Sequence, residues 1–138
     1  MQYDWSLEQA RGSRPDLPVP DDLVEFWATT LADGGGEVTT SRVEHGLVAV
    51  ETYDVTFAGF AGDPVRAWLH LPAAPLRTGP LSGVVQFQGY NGGRGLAHEH
   101  VFWATAGYAH LVVDTRGQGS GWTSGATADP SGSGPAQP

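Results

Sequence analysis

Neither cysteine nor lysine occurs in this sequence of 138 residues. Without thiols no disulfide or thiolate metal site can form, which excludes a secreted disulfide scaffold. All seven basic residues are arginines, set against 15 acidic ones for a formal net charge of -8. They are scattered from Arg11 to Arg116 and form no basic stripe able to neutralise phosphates, so nucleic acid is not an expected partner. Long apolar runs are missing as well: nothing approaches the roughly 20 residues needed to cross a membrane, and no membrane partner is expected. The opening Met1-Gln2-Tyr3-Asp4-Trp5 lacks the basic-then-apolar order of a signal peptide, so a soluble cytoplasmic protein is expected. What is present, 40% hydrophobic and 10% aromatic, suffices for one core and not two.

Three segments follow from the patterning: helical residues 1–36, sheet-forming residues 37–122 and a tail, 123–138. Ser6 with Gln9 reads as a capping box opening a short helix that Arg14-Pro15 ends. A second helix starts at Asp22 and Glu25, with Leu23, Phe26, Trp27, Thr30 and Leu31 on one face and Gly34-Gly35-Gly36 closing it. That face is expected to dock flat on an apolar surface. From Leu47 the period becomes two, placing Leu47, Ala49, Tyr53, Val55 and Phe57 on one side of a strand, with Glu51 as the exception. After a turn over residues 59–64, Val65, Ala67, Leu69 and Leu71 alternate with Arg66, Trp68 and His70, as in the half-buried second strand of an antiparallel hairpin.

Gly83-Val84-Val85-Gln86-Phe87 is a compact strand. A glycine-rich loop, a helix over residues 97–106 and a strand over residues 108–113 follow, making a βαβ unit with parallel strands. The Val112-Val113 strand is then the one left without the next neighbour of a doubly wound sheet. The tail contains only Thr, Ser, Gly, Ala, Asp, Pro and Gln, with no large apolar side chain to offset ordering entropy, and is expected to be mobile.

The stretch Gln88-Gly89-Tyr90-Asn91-Gly92-Gly93-Arg94-Gly95 carries the most chemistry. Directly after a strand, such a loop turns backbone N–H groups outward and, with the positive end of a following helix, can hold an anion or a developing oxyanion. A tight turn that merely requires positive φ angles explains the glycines equally well. A dinucleotide-binding loop competes, because Asp114 ends the next strand where a ribose-binding acid would stand, but the G-x-G-x-x-G spacing fails in every register. His98-Glu99-His100 is a poor metal pair, since positions i and i+2 of a helix face different ways and no third ligand is evident. His110 reads as a core histidine within an apolar strand, whereas His45 and His70 have no partner identifiable from sequence.

Gly89-Tyr90-Asn91-Gly92-Gly93-Arg94-Gly95 and Asp114-Thr115-Arg116-Gly117-Gln118-Gly119-Ser120-Gly121-Trp122 together resemble the signatures of the acetyl xylan esterase and cephalosporin C deacetylase family. Tyr53-Asp54-Val55-Thr56-Phe57, Gly59, Trp68-Leu69, Phe102-Trp103 and Glu25-Phe26-Trp27 fall in the family's order and spacing. The resemblance implies an α/β class: an incomplete α/β-hydrolase fold with N-terminal helices, an antiparallel hairpin and the first βαβ unit of a mixed doubly wound sheet. It implies cofactor-free serine hydrolysis of acetyl esters on xylo-oligosaccharides or cephalosporin-like alcohols. The Tyr90 backbone N–H would serve as one oxyanion-hole donor, worth on the order of 3 kcal/mol, and in substrate binding. Gly89, Asn91, Gly92, Gly93, Arg116, Gly117 and Gln118 are implied supporting residues.

The sequence departs from the family in having no nucleophile: none of its eight serines stands in G-x-S-x-G, and Ser120, the nearest, has Gln118 where the first glycine belongs. The triad's acid and histidine would also come later in family order. The chain alone is therefore expected to be inactive. Its expected partners are an acetylated small molecule, a missing C-terminal half or complementing chain, and copies of itself in a family-like homo-oligomer. Two alternatives stand beside the esterase fragment: a module that binds acetylated sugar without catalysis, and a nucleotide-binding half-domain.

Overall fold

The computed structural model describes residues 4–119 and 121–129. Helix α1, Leu7–Gly12, opens on the expected capping box: Gln9 N–H donates to Ser6 Oγ at 3.3 Å and Ser6 N–H to Gln9 Oε1 at 2.9 Å. Extended backbone at Ser13 ends it, two residues before Pro15 could. Helix α2, Leu23–Ala32, stops where expected, with Gly34 N–H donating to the Leu31 carbonyl. Its apolar face does not dock flat. No α2 residue is buried, and outside its own helix the Phe26 ring meets Phe60, at the tip of the following hairpin, with centroids 6.4 Å apart.

Five strands form one mixed sheet: β1 Thr39–Val43, β2 Val50–Ala58, β3 Pro64–Pro72, β4 Gly83–Phe87 and β5 Ala109–Val113, in the order β1-β2-β3-β5-β4. The hairpin β2/β3 is antiparallel and β4/β5 parallel, with helix α3, Phe102–Thr105, between the last two in sequence. Two expectations need correction here. Strand β5 has neighbours on both sides, because it pairs antiparallel with β3, so the open edge next to the parallel pair is β4. The crossover helix is also much shorter than residues 97–106. Residues 96–100 form turns instead, opened by Gly95 at φ +68° and fixed by Leu96 N–H donating to the Glu99 carboxylate at 2.6 Å.

Register assigns the sheet's faces, since paired residues share a side and successive residues alternate. Thr52, His70 and His110 lie on one face with Asp54, Trp68 and Val112; Tyr53, Leu69 and Leu111 lie on the other with Val55, Ala67 and Val113. The alternation expected for β3 is therefore correct, with Val55 and Ala67 buried on the apolar face, but the opposite face is buried as well. The face carrying Arg66, Trp68 and His70 is covered by loops, and its Thr52, His70 and Val112 are fully buried. The apolar face ends at β4 in Val85 and Phe87, which are 56% and 75% exposed. Leu47 and Ala49, placed with this face by their spacing, precede β2 altogether.

A histidine cluster lies on the loop-covered face. The Thr52 hydroxyl lies 2.8 Å from both His45 Nε2 and His70 Nδ1, so the two histidines without identifiable partners share one. The His70 and His110 ring centroids are 5.9 Å apart, and His110 Nδ1 lies 2.8 Å from the His100 carbonyl. Burial, then the charges of His110, His100 and His45, push the His70 pKa down from 6.5 to about 4. An unfolded chain thus takes up this proton below about pH 6.5, while the folded chain refuses it until about pH 4. Stability should fall across that window by about 3 kcal/mol, with His110, also pushed down, acting in the same direction. Urea midpoints measured from pH 7 to 4.5 test this; a flat profile contradicts it.

Among the described residues no helix is long and apolar enough to cross a membrane.

Candidate active site

The loop over residues 88–95 leaves the end of β4 and runs beside residues 121–125. Gly92 N–H donates to the Gly89 carbonyl at 2.9 Å, closing a turn in which Asn91 takes the left-handed conformation at φ +63°. Asparagine tolerates that region better than most residues. Of the loop's four glycines only Gly95 has positive φ. Two others are required by close approach: a Cβ on Gly92 would overlap the Trp122 ring, and one on Gly93 would overlap the backbone of Ser124 and Gly125. Neither position can accept a side chain without moving what it touches.

Residues 123–129, assigned to a mobile tail by composition, are instead part of this site; residues 130–138 lie outside the described residues. Gly93 N–H donates to both the carbonyl and the hydroxyl of Thr123, whose Oγ donates back to the Gly93 carbonyl at 2.8 Å. Gly95 N–H donates to the Ser124 carbonyl at 2.8 Å, and the hydroxyl of the buried Thr127 accepts from Arg66 N–H at 2.9 Å. Small polar residues are held here by backbone hydrogen bonds rather than apolar burial, which composition does not register.

Asp114 ties the two stretches together. It is 3% exposed; one carboxylate oxygen accepts the Arg94 N–H at 3.0 Å, and the other accepts the N–H groups of Thr127, at 2.8 Å, and Ala126. A carboxylate with three backbone donors is not offered to a ribose, which removes the dinucleotide reading. The supporting residues divide. Gln118 Oε1 accepts the Asn91 N–H at 2.5 Å, and Gly117, at φ +65°, donates to the Thr127 carbonyl at 3.0 Å. Arg116 is not brought to the loop: it pairs with Asp63 of the β2–β3 turn at 3.2 Å. Ser120 lies outside the described residues.

Sequence reasoning passed over Arg94. Its side chain is almost fully buried, donating to Asp54 Oδ1 at 2.7 Å and to the Ala67 carbonyl at 2.9 Å. The guanidinium lies 3.7 Å over the Trp68 ring, whose Nε1–H donates to the Gly95 carbonyl at 2.9 Å. Arg66 completes a three-charge cluster through its ion pair with Asp54. Burial raises the Asp54 pKa, but the hydrogen bonds and charges of Arg94 and Arg66 outweigh it and hold the carboxyl below its ordinary range. A lone cation inside a glycine loop, beside strands bearing Asp54 and Trp68, was the available signal.

At the loop's apex the N–H groups of Gly89 and Tyr90 are unengaged among the described residues. The Tyr90 side chain is 83% exposed, and the Tyr90 N–H has no acceptor among the described residues. The peptide before it is planar, and its carbonyl is bound by Gly92 N–H, so the Tyr90 N–H points the opposite way. No helix dipole assists, because α3 begins only at Phe102 and is four residues long. His98, Glu99 and His100 precede it, and among the described residues no three metal-ligating side chains converge.

The family model of acetyl xylan esterase (AXE1) matches residues 1–136. The chain belongs to the acetyl xylan esterase family. Among solved structures, the acetyl xylan esterase from Paenibacillus sp. R4 is 30% identical with a TM-score of 0.68, over 85% of this chain and 38% of that one. Acetyl xylan esterase 1 from Thermoanaerobacterium sp. JW/SL YS485 has a TM-score of 0.72 at 24% identity, over 86% of this chain and 38% of that one, a likeness of fold. The architecture is thus that of part of an α/β-hydrolase, and the chain spans about 38% of the length of the esterases it matches.

Proposed function

We propose that this chain is the scaffold portion of a serine acetyl esterase and supplies one oxyanion-hole donor, the Tyr90 N–H. The observation that carries the reading is the fixed turn over residues 89–92, which leaves that donor free while binding the Gly89 and Tyr90 carbonyls and the Asn91 N–H. In this reading a serine outside the chain attacks the acetyl carbonyl of an acetylated xylo-oligosaccharide or cephalosporin-type ester. Charge developing on the carbonyl oxygen is met by Tyr90 N–H and a second donor from the same absent portion. No cofactor takes part. The portion carrying the triad, on the same or a complementing chain, adds its strands at the exposed β4 edge, where Val85 and Phe87 offer apolar surface. Assembly into homo-oligomers and a cytoplasmic location belong to the same proposal.

Hydrolysis of p-nitrophenyl acetate tests it. The chain alone should give no rate above buffer, and turnover should appear on mixing with a chain carrying the rest of the Paenibacillus sp. R4 enzyme. Turnover by the chain alone contradicts the scaffold role. A silent mixture in which acetylated xylobiose still binds the chain supports the binding-module reading instead.

A further inference from the structure

Trp122 is 61% exposed, yet its indole is not idle: Nε1–H donates to the Tyr90 carbonyl at 3.1 Å. That carbonyl belongs to the same peptide unit as the Asn91 N–H, which donates to Gln118 Oε1 at 2.5 Å. Both polar groups of the Tyr90–Asn91 peptide are thus bound from one segment, residues 118–122, and the next carbonyl, of Asn91, accepts Gly121 N–H at 3.1 Å. The ring also lies against the turn itself. A Cβ on Gly89 would stand 3.7 Å from its Cζ2, and one on Gly92 would overlap it. A peptide unit is planar, so binding both of its ends fixes its rotation, and the adjoining unit that carries the Tyr90 N–H is held between it and the Gly92 N–H bond to the Gly89 carbonyl.

We propose that Trp122 is a positioning residue, which through its indole N–H and ring clamps the Tyr90–Asn91 peptide and so aims the Tyr90 N–H. The inference rests on the oxyanion-donor reading for its purpose, though not for its geometry. Preorganisation of this kind matters because a donor that must reorient during reaction stabilises the transition state less. Gly92 and Trp122 then form one device: the glycine leaves the space that the indole fills.

Hydrogen exchange and 15N shifts of the full chain test the clamp without any substrate. Trp122→Phe keeps the ring and removes the donor. Exchange at the Asn91 amide should quicken about fivefold, as loss of one hydrogen bond allows, and its nitrogen shift should move. Gly93, held by Thr123, and Leu111, in the sheet, should change less than twofold. Equal acceleration at all three, or no change at Asn91, overturns the proposal.

The unaltered chain supplies a second reading should the variant not fold. Trp5, Trp27 and Trp122 are similarly exposed, at 62%, 52% and 61%, so slower indole exchange at Trp122 reports its bond to Tyr90, and equal exchange overturns it. In a chain completed with the remainder of the Paenibacillus sp. R4 enzyme, Trp122→Phe should lower kcat several-fold at constant KM. A rise in KM alone overturns the positioning role. An inactive completed chain with Trp122 intact counts against the esterase reading and leaves the exchange result standing.

Discussion

Replacing Asp54 by alanine is expected to lower the unfolding free energy by about 3–5 kcal/mol, the cost of removing one partner from a buried charge pair. The pair qualifies because the Arg94 side chain is 5% exposed and that of Asp54 18%, so little water reaches the guanidinium in place of the lost carboxylate. Arg94 would retain the Ala67 carbonyl and the Trp68 face but no ion-pair partner among the described residues, and Arg66 would lose its partner too. Against a total stability of about 5–15 kcal/mol for a domain, that loss moves a urea midpoint by 1 M or more. Asp54→Asn, which keeps an acceptor oxygen, should cost less. The double change Asp54→Leu with Arg94→Met should recover part of the loss, because it leaves no charge buried alone. A shift below about 1 kcal/mol for Asp54→Ala would show that the cluster is solvated and does not anchor the loop.

The cluster also shows where the sequence was legible and where it was not. Strand β4 and the parallel pairing with β5 could be read because short apolar runs bounded by glycine and proline have few other outcomes. The capping box at Ser6 and Gln9 is a local device and needed no tertiary information. Strand β1 carries no such mark: Thr39, Thr40, Ser41 and Arg42 are exposed, and pairing with β2 alone makes them a strand.

Burial of the sheet's second face was not legible, because His70, Thr52 and Asp54 look solvent-facing one at a time. Their partners, His45, Arg66 and Arg94, lie outside their own strands, and a satisfied buried polar group resembles an exposed one in any periodic pattern. Residues 123–129 misled for a related reason, since Asp114, Gly93 and Arg66 bind their backbone and hydroxyl groups without any apolar burial. Within the site, the glycine loop and Gln118 were legible through their resemblance to a family. Arg116 went to another turn, and Trp122, read only as the last residue of a motif, proved to touch the Tyr90 carbonyl.

The remaining large effect concerns the Tyr90 N–H, and it is kinetic. An oxyanion donor acts when negative charge grows on the carbonyl oxygen and contributes little while the ester merely sits in the site. Its removal should therefore lower kcat and leave KM nearly unchanged. A side-chain change at Tyr90 cannot show this, because the donor is backbone; proline would remove the N–H but also constrain φ. Building the completed chain with the α-hydroxy acid analogue of tyrosine at position 90 converts the Gly89–Tyr90 amide into an ester, deleting the N–H and keeping the phenol. Acetyl ester hydrolysis by that protein, compared with its amide parent, is the decisive measurement. A loss of kcat of about 100- to 1000-fold at similar KM is the predicted result. An unchanged kcat would contradict the central claim that this loop exists to present the Tyr90 N–H to a developing oxyanion.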